Sequence, residues 1–133
     1  MSRELIERYY RAFNAGDRPG MLALLTDDVV HDINQGERES GKAAFTAFLA
    51  HMDACYREQL LDVAIMGNPE ATRFAAEFVV LGEYLKTDSD LPPATGQRYK
   101  LPAGAFLEVR GGKISRVTTY YNLQDWLAQV GAQ

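Results

Sequence analysis

Three side chains in this sequence have the type and setting that proton-transfer chemistry needs: Asp32, Tyr9 and Asn122. Asp32 stands near the end of a short apolar run, with Val29, Val30 and Ile33 around it. A carboxyl desolvated there would have its pKa raised towards neutrality, which suits a general base or acid. The same residue would equally serve as the solvated start of a turn towards Asn34 and Gly36. Tyr9 belongs to the apolar stripe of the first segment, where a buried hydroxyl either donates to a ligand oxygen or bonds a backbone carbonyl. Asn122 ends a strand-like run, and its amide can orient a polar ligand group without acting as an acid or base. Phe13, His31, Tyr120, Tyr121 and Trp126 are the candidate ligand-lining residues around these three.

Other chemistries lack their residues. There is no glycine-rich phosphate loop, no Gly-x-Ser-x-Gly elbow and no His-Glu-x-x-His. His31 and Asp32 are adjacent and His51 falls on another element. Two histidines without a third clustered ligand make a poor metal site, so neither metal nor cofactor is expected. Glu77, Glu83 and Glu108 interrupt apolar strands and read as solvent-facing or arginine-paired. Cys55 is the one cysteine, which excludes an internal disulfide, fits a reducing compartment and reads as a small core residue. With 18 acidic against 14 basic residues, a net charge of −4 and no basic stripe, a nucleic-acid partner is not expected. No apolar run approaches the roughly 20 residues of a membrane span, and the start of the chain lacks the apolar core of a signal peptide. The expectation is a cytoplasmic protein without membrane contact.

The elements that must position these groups follow from periodicity. At 133 residues the chain fits one domain, residues 1–133. Leu5, Ile6, Tyr9, Tyr10 and Phe13 recur at helical spacing between Ser2 and Asn14. Asp17 caps a second short helix, closed by Thr26-Asp27-Asp28. Val29 to Ile33 is a brief strand, Asn34 to Ser40 a polar loop, and Lys42 to Ala54 a third helix. From Tyr56 onward the pattern alternates, with strands to Met66, from Thr72 to Lys86, from Ala103 to Val109 and from Ile114 to Tyr121. The last two flank Arg110-Gly111-Gly112-Lys113, a tight-turn signal that places this hairpin at the centre of a sheet. Gln124 to Val130 is a terminal helix stopped by Gly131. The strand from Thr72 to Lys86 is apolar on both faces. Helices in so short a chain can cover only one, so a homodimer through the other is expected.

Several stretches carry a family resemblance. They are Arg8-Tyr9-Tyr10-x-x-Phe13-Asn14-x-Gly16-Asp17, Leu24-Leu25-Thr26-Asp27-Asp28-Val29-Val30-His31-Asp32, Gly41-x-x-Ala44-Phe45, Gly112-Lys113-Ile114 and Tyr121-Asn122-x-x-x-Trp126-Leu127-x-Gln129-Val130-Gly131. Together they resemble the ketosteroid isomerase and SnoaL-like polyketide cyclase group of the nuclear transport factor 2-like superfamily. The resemblance implies an α+β fold, a cone-shaped curved antiparallel sheet packed on three helices around one mostly apolar pocket. It implies an oxyanion donor at Tyr9, seven positions before Gly16. The isomerases' base position falls on Ile33 in an ungapped alignment, one residue beyond Asp32. Their second acid falls at about Ala105, and the cyclases' aspartate falls on Asn122.

These readings converge on one expectation and one alternative. The first is a cofactor-independent acid–base enzyme of isomerase or cyclase type on a small hydrophobic carbonyl compound, with Asp32 as base, Tyr9 as donor and Asn122 as orienter. The alternative is a non-catalytic ligand-binding or dimerisation module of the same fold.

Overall fold

The hairpin expected across Arg110-Gly111-Gly112-Lys113 forms and lies in the middle of a sheet. In this computed structural model, which describes residues 2–131, the elements are α1 (Ser2–Ala15), α2 (Arg18–Ala23), β1 (Leu25–Asp32), β2 (Arg38–Ser40), α3 (Lys42–Cys55), β3 (Tyr56–Gly67), β4 (Arg73–Tyr84), β5 (Arg98–Arg110), β6 (Lys113–Tyr121) and α4 (Leu123–Gly131). Met1, Ala132 and Gln133, part of the expected domain, lie outside the described residues. Gly111 and Gly112 have φ of 58° and 77°, the double left-handed turn that glycine alone enters without strain.

Strand order is β2-β1-β6-β5-β4-β3, antiparallel throughout except for the parallel pair β1 and β6. Irregularities between Leu61 and Ala64 in β3 and between Glu108 and Val109 in β5 bend the ladder, giving the curved α+β sheet expected. Helices α1, α3 and α4 pack on β3, β1 and β5. At the hairpin end the space between sheet and helices is filled by Ile6, Leu25, Leu107 and Ile114.

Besides shifts of one or two residues at other ends, three departures from the sequence reading bear on the site. Strand β1 begins at Leu25, so Thr26-Asp27-Asp28 lies inside it; pairing of Leu25 with Ile114 extends it. The polar segment before α3 contains β2, which pairs Arg38, Glu39 and Ser40 with Asp32, His31 and Val30. Strand β5 starts five residues early and runs through Pro102. That proline is tolerated because the β6 ladder reaches only Ala103, leaving β4 as its strand partner. Beyond it the Gln129 amide takes the place of a strand: Lys100 N donates to Oε1 and Nε2 donates to Lys100 O, both at 2.9 Å. No helix among the described residues is long and apolar enough to cross a membrane.

Helix α1 is docked by its last polar side chain. Asn14 Nδ2 donates to Leu60 O at 3.0 Å, and Leu60 N donates to Asn14 Oδ1 at 2.8 Å. The amide thereby satisfies both backbone groups of a buried residue beside the β3 irregularity. Asn14→Ala should cost about 2 kcal/mol, because both groups lose their partner out of bulk water. Urea unfolding measures this. A loss below about 0.5 kcal/mol, the range of ordinary surface substitutions, would show that the amide does not carry the docking.

Candidate functional site

At the other end of the sheet the helices stand away from the strands and leave a cavity of about 440 Å³. Its walls are mostly apolar or aromatic, from α1, α3, α4 and the inner faces of β3 to β6. Tyr99, Leu101 and Ala103 of β5 line it, whereas the buried Ala105 and Leu107 of the same face belong to the solid core. A mostly apolar cavity with a few polar groups is the usual form of a small-molecule site.

One of those groups is a carboxyl held across a gap in the sheet. Glu58, Gly82 and Tyr99 are opposite one another on β3, β4 and β5. A Cβ on Gly82 would lie inside the Tyr99 ring, so the glycine lets that ring lie flat across β4. Tyr99 Oη then donates to Glu58 Oε2 at 2.5 Å. Burial raises the Glu58 pKa above its ordinary value, against the pull of the Tyr99 hydrogen bond and of Arg18. Burial also raises that of Tyr99, which stays the proton donor of the pair.

His31 faces the cavity from β1, 5% exposed, between Phe45 and Phe48 with ring centroids 4.6 and 4.5 Å away. Its Nδ1 is buried without a hydrogen-bond partner. Burial pushes its pKa down to about 4, with the Asp32 charge opposing, so the ring is neutral at pH 7. A neutral imidazole with an unused nitrogen in a cavity wall is available to a ligand. Tyr9 also lines the cavity, and burial raises its pKa, which keeps the hydroxyl a donor.

A second polar group sits where the segment after β4 meets α3. Tyr56 Oη donates to Asp88 Oδ2 at 2.6 Å, and His51 Nε2 lies 2.8 Å from Asp88 Oδ1. Burial works to raise the Asp88 pKa, yet these hydrogen bonds hold it below the ordinary value. Tyr84 Oη fixes the same segment, accepting from Asp88 N at 3.0 Å and donating to Pro92 O at 2.7 Å. Tyr56, Tyr84 and Tyr99 pack around Trp126, with ring centroids 5.0 to 6.2 Å from its own.

Of the residues singled out from sequence, Tyr9, Phe13, His31, Tyr121 and Trp126 line the cavity. Asp32, Asn122 and Tyr120 are not among its lining residues. Asp32 pairs with Thr118 on the outer face of the sheet. Arg38 donates to its two oxygens at 2.6 and 3.0 Å, and Thr118 Oγ1 at 2.7 Å. The Arg38 bond is the largest of the effects that hold its carboxyl well below the usual range, opposite to the elevation expected. The reason is the period of two: His31 turns inward, so Asp32 turns outward. Ile33, the position the resemblance assigned to a base, does line the cavity and carries no acid. Asn122 is exposed and starts α4, its Oδ1 accepting from Asp125 N at 3.2 Å, so it caps a helix rather than orienting a ligand. Tyr120 is 55% exposed beside Phe106 on the outer face. Sequence reasoning passed over Glu58, although strict alternation puts it with Tyr56 and Leu60 on the face that folds inward.

Comparisons with known proteins find the same fold. A crystal structure from Pseudomonas putida KT2440, described as a "putative polyketide cyclase", is 58% identical over 98% of each chain with a TM-score of 0.96. Another so described, from Xanthomonas campestris pv. campestris, is 56% identical over 96% of this chain and 95% of that one, TM-score 0.93. An NTF2-like protein of unknown function from Burkholderia pseudomallei K96243, 16% identical over 97% and 96% of the two chains, shares the fold at a TM-score of 0.82. No curated protein matches the chain. The family model for the SnoaL-like domain matches residues 6–117, and with its cone-like sheet and cavity the chain belongs to the SnoaL-like family of the NTF2-like fold.

Proposed function

We propose that the chain is an acid–base enzyme of isomerase or cyclase type acting on a small hydrophobic carbonyl compound, with Glu58 as the proton-transfer group. The observation that carries this reading is the elevated Glu58 carboxyl inside an apolar cavity, hydrogen-bonded to a neutral phenol rather than to a cation. A base of raised pKa removes a proton α to a carbonyl more readily at neutral pH, and donors must then meet the developing oxyanion. Tyr9 and neutral His31 are the donors that line the same cavity. The relatives' description as polyketide cyclases supports a carbonyl substrate for this chain too. A second reading, a ligand-binding module without turnover, is favoured by one observation: the position of the second isomerase acid is Ala105, in the solid core.

Exchange of α-protons for solvent deuterium across a panel of enolisable ketones separates the two readings. The parent protein should catalyse exchange with at least one ketone, and Glu58→Gln should slow it at least a hundredfold, the usual contribution of a general base. Absence of exchange from every ketone that binds would leave the binding module. Because the base acts ionised, the rate should fall as pH falls, with a midpoint above the ordinary carboxylate value of 4.5. Tyr99→Phe removes a hydrogen bond that favours the ionised form, so it should move that midpoint to higher pH. Gly82→Ala should reproduce the shift by displacing the Tyr99 ring. A midpoint unmoved in both variants would remove Tyr99 from the mechanism.

We also propose that a second copy of the chain covers the outer face of the sheet. Leu61, Met66, Leu81, Phe106 and Tyr120 are exposed there, more apolar surface than one sheet face ordinarily leaves in water. Sedimentation velocity at micromolar concentration should show a dimer, and Phe106→Lys should shift it towards monomer. A strictly monomeric parent protein would remove the proposal.

A further inference from the structure

Three different ligand atoms converge where α3 ends. His51 and Cys55 are four residues apart on the last turn of the helix, and Asp88 reaches them from the segment after β4. His51 Nε2 lies 2.8 Å from Asp88 Oδ1 and 4.0 Å from Cys55 Sγ, and all three atoms fall within 4.8 Å of one another. A Cys–His–Asp proton relay would use the two ring nitrogens for two different partners. Here thiol and carboxylate both approach Nε2. Three lone-pair atoms around one point is the arrangement of ligands about an ion rather than of a relay.

The surroundings fit that reading. Asp88 Oδ2 is held by Tyr56 Oη and its backbone N by Tyr84 Oη, so the carboxylate is oriented with Oδ1 towards the histidine. Such support of a ligating carboxylate is characteristic of metal sites. The loop cannot drift from the cysteine, because Leu85 N donates to Cys55 O at 2.7 Å. We propose that His51, Cys55 and Asp88 form a site for a divalent cation of the zinc class, opening onto the cavity. A thiolate, an imidazole and a carboxylate select zinc or cobalt over magnesium and calcium, which take oxygen ligands. Three protein ligands leave a fourth tetrahedral position vacant. His51 and Asp88 line the cavity, so an ion held by them would sit at its wall. The sequence reading expected no metal because two histidines lacked a third clustered ligand; Cys55, four residues along α3, and Asp88, 37 residues from His51, supply the others. The site stands apart from the acid–base role of Glu58, and its test reads no turnover.

The experiment uses the full chain after chelator dialysis under reducing, oxygen-free conditions. Cobalt(II) titration should give a thiolate-to-cobalt charge-transfer absorption saturating at about one equivalent, as the single cysteine requires, and zinc should displace it. Cys55→Ser should abolish the band and, with His51→Ala, weaken zinc binding measured by calorimetry at least tenfold. Tyr56→Phe should weaken it by about tenfold, as loss of a partner behind a ligand does. Melting temperatures without metal confirm that each variant is folded. Lack of a charge-transfer band in the parent protein would overturn the proposal, leaving a hydrogen-bonded His51–Asp88 pair. Zinc affinity equal in parent, Cys55→Ser and His51→Ala would overturn it as well, since the ion would then sit elsewhere.

Discussion

The two-residue turn at Gly111-Gly112 sets the register on which the site depends. Both residues have positive φ, and the turn puts Arg110 opposite Lys113. From there, and through the irregularity at Glu108, Leu107 and Val117 face inward while Phe106 and Thr118 face out. Strand β1 lies parallel on β6 in the same phase, with His31 beside Val117 and Asp32 beside Thr118. On the other side, β5 carries Tyr99 inward, β4 answers with Gly82, and β3 brings Glu58 to the end of the row. A slip of one residue at the hairpin would put Asp32, rather than His31, on the sheet face that carries Tyr99 and Glu58.

Much of this was legible in the residues, and the failures share a cause. The helical stripe of α1, the glycine turn and the alternating strands are local patterns, and the elements they announce form close to the expected places. Tyr9 and Trp126 fall in the cavity because they belong to such patterns. The facing of Asp32 is not local. Asp27, Asp28, His31 and Asp32 leave no alternation from which to read the inner face of β1, and one partner that settles the matter, Thr118, stands 86 residues away. Glu58 was hidden likewise. Between Arg57 and Gln59 it reads as part of a charged strand start, and only Gly82 and Tyr99, the latter 41 residues on, make its setting apolar.

Asp32 and Glu58 show why the partner, more than the carboxyl, decides which acid can act as a base. Both accept a short hydrogen bond, and their pKa values move in opposite directions. At Asp32 the bond comes from Arg38, with Arg116 Nη1 a further 3.5 Å away, and positive charge favours the ionised form. At Glu58 it comes from a phenol, which favours the ionised form less than burial opposes it. The cation whose charge bears on Glu58 is Arg18, whose guanidinium is already engaged by Asp53 at 2.8 Å and by Phe13 O at 3.2 Å. No arginine or lysine is among the residues lining the cavity, whereas Arg38 and Arg116 sit together on the outer face. Keeping cations outside the cavity is what keeps its carboxyl basic. On the proposed reading, Glu58 on β3, against the opposite wall of the same space, takes the place of the acid that is missing at Ile33.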